Sequence, residues 1–484
     1  MGIRFATLVV VAKLALMTFI QPAAAAFNDP EKLIEYANEP WTGDLDGILE
    51  RRFLRILTVH NPLLFSFDGV KQKGMVAELS KLYEKHLNES IGRVRAPTVV
   101  VIPVSRDELL PGLISGRGDL VMGNLTITPE REKLIDFGPP VYPNVEELVI
   151  TGPAAGKVEA LDDLVETGLY LRRSSSYYEH MEELNAKRRG RGKDPIPVTA
   201  ADENLEDYDL LDLLNAGVIK AVVVDSHKAL FWEQVFDKIT VHRDLSIRSG
   251  SQIAWAIRKD SPKLMESVSE FAKTVKKGSL LGNIVRKRYL GNTRWLDNAP
   301  SAESRERYEE TIEIIKHYAG KYDFDWLLIA AQAYQESKFD QSKRSPAGAI
   351  GVMQVLPTTS ASKAVNIPDI TKLENNVHAG VKYLHWLRDT YFSNDEIEPL
   401  DQVLFSFAAY NAGPGNMKRA RRRAKKQGFD QYRWFGNVEI GMYRAVSGEP
   451  ASYVRNIYKY YITYQGLVAS QVARERALLA NLSK

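Results

Sequence analysis

From about Phe53 to Tyr289 the chain alternates short apolar runs with amphipathic stretches. Ile56-Leu57-Thr58-Val59, Thr98-Val99-Val100-Val101-Ile102 and Lys220-Ala221-Val222-Val223-Val224 are rich in β-branched residues, the pattern of strands buried in a parallel sheet. Between the first two, Met75 to Leu87 carries Leu79, Leu82 and Leu87 at helical spacing. This alternation predicts an α/β fold. The texture changes beyond Tyr308, where helices are predicted at 308–320, 325–337, 375–392, 401–410 and 452–481 with short turns between them. That is an all-α domain. The polar stretch from Gly291 to Glu306, with Asn298, Pro300 and Ser301, separates the two textures and places a linker at 295–305.

Length and composition narrow the class. A chain of 484 residues holds more than one compact unit, and 44% hydrophobic with 26% charged residues is normal for a soluble globular protein. A net charge of +3 gives no global case for nucleic-acid binding. At the N-terminus, Arg4 precedes an apolar run from Phe5 to Ile20, and Ala23 to Ala26 follow. Residues 1–26 therefore read as a secretory signal peptide. As a membrane anchor the run is short of the ~20 apolar residues required and is broken by Lys13. The chain has no cysteine, so a lipid cannot be attached through one, and membrane contact is expected to be peripheral. No metal-ligand cluster, phosphate-cradling loop or cofactor motif is present.

The chemistry-bearing islands lie in the helical half. Asp325 is placed to cap a helix running from Trp326 to Tyr334, with Gln335, Glu336 and Ser337 at its end. A lone Glu is usually a solvated surface residue. At the C-terminal end of an apolar helix, however, desolvation and the helix field both raise the carboxyl pKa and favour a proton donor near neutral pH. Three further islands follow: Gly351-Val352-Met353-Gln354, Asn376 to Leu384 with Ala379-Gly380 and Tyr383-Leu384, and Ala409-Tyr410-Asn411-Ala412-Gly413.

These islands resemble the catalytic domain of the soluble lytic transglycosylase family over roughly residues 308–465, with Val352 in place of the usual Leu. The resemblance implies a lysozyme-like fold and cleavage of peptidoglycan glycan strands by an exo-acting lyase that uses one carboxyl twice. Glu336 would be the acid/base, and the C6 hydroxyl of muramic acid would close on C1 to leave a 1,6-anhydro end. Substrate contacts are expected from Ser337, Met353, Gln354, Tyr410 and Asn411, with Tyr410 orienting Glu336 or the sugar. Glycines 348, 351 and 413 read as backbone devices. A family element of Glu-Thr…Tyr-Val is matched imperfectly by Glu449-Pro450-Ala451-Ser452-Tyr453-Val454, which leaves Glu449 without an assigned role. Two alternatives stay open: a goose-type lysozyme-like hydrolase, and a binding protein with an inactive lysozyme-like module.

The α/β half resembles the family 3 extracellular solute-binding proteins, through Leu110-Pro111-Gly112-Leu113 to Leu120, Asn124 to Arg131 and Asp136 to Tyr142. The resemblance implies a periplasmic-binding-protein-like domain at 27–294, with lobe 1 at about 50–147 and 246–292 and lobe 2 at about 148–245. It implies a ligand carboxylate on Arg131, a hydroxyl from Thr126 and a ligand ammonium on Asp225, with Ser174 to Ser176 as weaker contacts. The competing readings are a salt bridge from Arg131 to Asp119 or Asp136, and Asp225 as a helix N-cap. In this order the halves, the second at 306–484, resemble the membrane-bound lytic murein transglycosylase F family. That implies export to the periplasm, peripheral association with the outer membrane, and an amino acid or cell-wall peptide as ligand. A basic run from Lys418 to Lys426 reads either as a solvated helix face or as a contact with murein or phospholipid.

Overall fold

The computed structural model describes residues 29–482, apart from 69–70 and 298–301; the predicted signal segment lies outside the described residues. The apolar runs of the first half form one seven-stranded sheet. Strand Phe53–Val59 pairs in parallel with Thr98–Val104, Ile56 opposite Val101, and with Leu120–Thr126, Ile56 opposite Leu120. Every residue of the first two strands is buried, as expected for β-branched runs with both faces covered. Two long strands, Tyr142–Thr151 and Thr240–Arg258, pair antiparallel and carry the chain out to Ala221–Asp225 and back. A second, smaller core around Val149, Leu164, Leu171, Met181 and Val223 marks the outer lobe. This is the periplasmic-binding-protein-like α/β fold, followed by an all-helical region.

The helical region contains Ala302–Lys321, Trp326–Ser337, Leu373–Tyr391, Pro399–Ala412, Pro414–Lys426, Glu439–Ala445 and Gly448–Leu482. Trp326–Ser337 is central: Leu328, Ile329, Ala331 and Ala333 are fully buried, which is the mark of a core helix. Asp325 caps it as predicted, its Oδ1 accepting from the Leu327 N–H at 2.8 Å. The other carboxylate oxygen accepts from the Tyr461 hydroxyl at 2.6 Å and from Gln465 at 2.9 Å. The acid-bearing helix is thereby fastened to the C-terminal one. No helix of the described residues is long and apolar enough to cross a membrane.

The two halves are not merely joined by a polar connector. Of the span 295–305, Arg294–Asp297 and the start of Ala302–Lys321 are helical. One hydrophobic core runs from Leu33 through the sheet to Ala477. At the seam Phe435 stacks on Tyr36 (5.0 Å between centroids) and meets Phe53 edge-on at 4.8 Å. Such pairs contribute about 0.5–1.5 kcal/mol each beyond their buried area. Helix Gly448–Leu482 lies against strand Thr98–Val104, and Gly466 passes so close that a Cβ there would meet Pro103 Cδ at 2.9 Å. The same helix reaches both lobes: Lys459 pairs with Glu84 at 2.6 Å, Arg474 with Asp209 at 2.5 Å, and the Tyr170 hydroxyl donates to Asn481 at 2.7 Å. The composition of a linker does not report what its flanks bury. The signal lay in the helix itself, where Tyr453, Val454, Ile457, Tyr458, Tyr461 and Tyr464 are buried around more than one face.

Candidate active site

Glu336 sits in the last turn of Trp326–Ser337, where the chain leaves through two consecutive left-handed residues, Lys338 (φ 63°) and Phe339 (φ 66°). Its carboxyl accepts a hydrogen bond from the Tyr453 hydroxyl at 2.5 Å on Oε1. Gln332, one turn earlier, donates to that hydroxyl at 3.2 Å. Burial raises the Glu336 pKa to about 7, against smaller lowering effects of the Tyr453 bond and the Lys343 charge. No second carboxylate of the described residues bears on it. A carboxyl in this state keeps its proton to higher pH than an ordinary glutamate and gives it up near neutrality without a large penalty.

The loop beside it is built from backbone. Gly351 (φ 76°) has its missing Cβ 2.5 Å from Gln341 Oε1 and 2.7 Å from Asn376, so only glycine fits. Asn376 then ties the loop down, donating to Ile350 O at 2.7 Å and accepting from Met353 N at 2.8 Å. Gln354 adopts φ 47° and donates to Gly351 O at 2.9 Å.

The residues expected to touch substrate divide by direction. Ser337 is buried and its hydroxyl donates to Val352 O at 2.9 Å, while Met353 is fully buried against Gly380. Both hold the loop to the acid helix. Tyr410 donates to Met353 O at 2.8 Å and is near enough to Glu336 for the carboxylate charge to raise its pKa, after burial. The hydroxyl on the Glu336 carboxyl belongs to Tyr453, which the sequence offered only as part of the imperfect Tyr-Val element. Gln354 is half-buried and Asn411 exposed, so both remain accessible. Glu449 is exposed in the first turn of Gly448–Leu482.

In the solute-binding half, Thr126, Arg131 and Asp225 line one small cavity of about 10 Å³ with Ser174, Ser175 and Ser176. Neither competing pairing for Arg131 is present: Asp119 is held by Arg51, Arg55 and Arg258, and Asp136 by Lys259. Arg131 instead donates to Thr126 O (3.1 Å), Ser174 O (3.0 Å) and Glu179 (3.1 Å). Asp225 precedes helix Ser226–Trp232 but makes no side-chain cap. Its Oδ2 accepts from Asn124 at 2.7 Å and pairs with Lys228 at 2.9 Å, and Lys228 also pairs with Asp207 at 2.5 Å. Burial opposes the Asp225 charge, yet Lys228 holds its pKa below the ordinary carboxylate range. Two buried atoms of this cavity lack a hydrogen-bond partner, Asp225 Oδ1 and Arg172 Nε.

Comparison with known proteins gives both halves a place. The family model of the transglycosylase SLT domain matches residues 313–433, and that of bacterial extracellular solute-binding proteins, family 3, matches 54–292. A relative from Desulfosudis oleivorans, named membrane-bound lytic murein transglycosylase F, is 27% identical over 80% of this chain and 81% of its own. One of the same name from Pseudomonas fluorescens is 26% identical over 91% of each chain. Among solved structures, a mutant ArgBP from T. maritima covers 51% of this chain and 99% of its own at TM-score 0.42 and 18% identity. Both domains thus occur in one order, and over most of its length this chain is similar to the relatives named membrane-bound lytic murein transglycosylase F.

Proposed function

We propose that the protein is a peptidoglycan lytic transglycosylase in which Glu336 is the sole acid/base. The observation that carries this reading is a single desolvated carboxyl with a pKa near 7 and one hydroxyl partner. Because Tyr453 donates to Oε1, the acid proton rests on Oε2, the oxygen left for the substrate. Glu336 gives that proton to the glycosidic oxygen as the C1–O bond breaks, and the N-acetyl group of muramic acid stabilises the cationic C1. The resulting carboxylate then takes the proton of the C6 hydroxyl, whose oxygen bonds to C1. No water is consumed, and the two proton transfers restore the enzyme. Glycosidases of the usual kind need a second carboxylate ~5 or ~6.5–9.5 Å away; among the described residues no carboxylate charge acts on Glu336. Ser337, Met353 and Tyr410 position the loop, and Gln354 and Asn411 contact the sugar. Digestion of purified murein sacculi followed by mass spectrometry tests the reading. Anhydro ends are expected, and products with reducing ends only would make the protein a hydrolase.

The solute-binding half is proposed to sense a carboxylate-bearing ligand, an amino acid or cell-wall peptide, at Arg131, Thr126 and Asp225. Such a ligand displaces Glu179 from Arg131 and takes the unused Asp225 Oδ1 for its ammonium. Its closure is expected to change cleavage by 5–150-fold, the usual span of coupling energies. Titration of amino acids and stem peptides into wild type and Arg131→Ala, with heat and cleavage rate read together, decides this. Binding with no change in rate leaves the lobes a positioning role alone. Association with the envelope is assigned to helix Pro414–Lys426, which buries Met417, Ala420 and Ala424 and exposes Lys418, Arg419, Arg422, Arg423, Lys425 and Lys426. Each basic residue near an anionic membrane is worth about 1 kcal/mol, and a charge-neutral helix should leave the envelope membrane fraction. Partitioning equal to wild type at every salt concentration would remove that role.

A further inference from the structure

The turn that follows the Glu336 helix carries two lysines, and a third from the solute-binding half stands near it. Lys343 donates to the Glu336 backbone carbonyl. Lys338, two residues beyond Glu336, lies over the Tyr334 ring at 3.9 Å and donates to Tyr334 O at 3.0 Å. Burial, then the charges of Lys343 and of Lys81, lower the Lys338 pKa to about 8. Lys81 belongs to helix Met75–Ile91 of the solute-binding half, so an ammonium from the first domain stands within electrostatic reach of the acid's own loop. The like charges of Lys81, Lys338 and Lys343, gathered around the turn that follows the acid helix, raise each other's energy. Neither Lys81 nor Lys338 makes a salt bridge among the described residues; Glu78 and Glu84 offset the Lys81 charge only in part, against burial and the charges of Lys459 and Lys71, so an anion brings further relief.

From Lys81 an open trough runs along the same helix. A cavity of about 320 Å³ lined by Lys81, Lys85 and Arg93 shares Glu84, Asn88 and Arg93 with one of about 560 Å³. The far wall of the second is the catalytic half: Glu449, Ser452 and Asn456. Glu84 is spoken for, accepting from Lys459 at 2.6 Å and from Val99 N at 3.1 Å. Lys85 pairs with Glu89 on the same wall and Arg455 with Glu439 behind the other, which leaves a guest Lys81 and Arg93 on one side and the amide, hydroxyl and carboxylate groups of Asn456, Ser452 and Glu449 on the other. That lining suits an extended acidic peptide, whose backbone needs both donors and acceptors.

We propose that this trough between the halves is a subsite for the acidic peptide stem of the strand being cleaved, with Lys81 and Arg93 of the solute-binding half holding its carboxylates. It rests on the transglycosylase reading above and adds that the first domain completes the substrate site. The role left unassigned to Glu449 is then to face the amine or amide groups of that stem.

The test compares full-length wild type, Lys81→Ala and Lys81→Arg on sacculus strands carrying their peptides and on strands stripped of them by an amidase. The quantity read is the ratio of anhydro-end release on the two substrates. An exposed charge pair is worth up to about a 5-fold effect. Lys81→Ala should lower the ratio by about that factor, and Lys81→Arg should keep it. Wild-type cleavage with a ratio unchanged in Lys81→Ala overturns the subsite while leaving the transglycosylase reading intact. Absence of anhydro ends from wild type on both substrates overturns both.

Discussion

The acid site and the solute-binding cavity treat buried charge in opposite ways. Around Glu336 one hydroxyl and no counter-charge at contact distance leave the carboxyl raised to about 7. The bases that line the cavity are paired with acids on it or behind it: Arg106 with Glu206 at 2.7 Å, Arg172 with Asp207, and Lys228 with both Asp207 and Asp225. Desolvation without a partner makes a group whose proton is cheap to move. Desolvation with partners makes a rigid network whose members stay charged. The contrast separates the proposed site of chemistry from the proposed site of recognition, and it is open to direct attack.

The largest expected effect is from Glu336→Gln, which keeps shape and removes the mobile proton. Release of anhydro ends should fall by ~10²–10⁴ with the circular dichroism of the fold unchanged; activity within a few-fold of wild type would end the assignment. Next, Lys228→Met leaves Asp207 and Asp225 buried without their ammonium. Breaking such a pair costs about 3–5 kcal/mol, so chemical denaturation should show a large loss of stability, whereas an unchanged midpoint would mean the network carries no load. Third, Tyr453→Phe removes the bond that lowers the Glu336 pKa. The alkaline limb of the pH–rate profile, set where the acid form is lost near pH 7, should move upward and the rate fall about tenfold; a limb that stays or moves down contradicts the geometry. The last effect is on stability. A carboxyl raised from 4.5 to about 7 in the folded chain binds its proton more tightly there. Its contribution is complete below the unfolded value and is lost as pH rises through 7. Glu336→Gln should therefore gain on the order of 2 kcal/mol relative to wild type between pH 4.5 and 8, read from denaturation midpoints at the two pH values.

Much of this was legible beforehand, and the rest was hidden for physical reasons. Strands at 56–59, 98–102 and 220–224 and the helix from Met75 announce themselves because period and β-branching are local properties. So does Asp325, since a cap is decided within three residues. Residue direction is not local. Ser337 and Met353 have chemistry suited to a sugar, but their side chains turn inward to Val352 and Gly380. Tyr453 lies 117 residues from Glu336, and only the packing of the C-terminal helix brings the two together. The Lys228–Asp225 pair, at i,i+3, was within reach of spacing alone.

The C-terminal helix also fixes an order of assembly. Over 35 residues and about 50 Å, it sets Tyr453 on the acid near one end and grips the outer lobe through Arg474 and Asn481 near the other. A chain made from its N-terminus finishes the sheet, the outer lobe and the acid helix before this segment exists. Until it docks, Glu336 has no hydroxyl partner and the two halves lack their common wall. A nascent or nicked chain without this helix therefore lacks both the hydroxyl on its acid and the strut that spans its two halves.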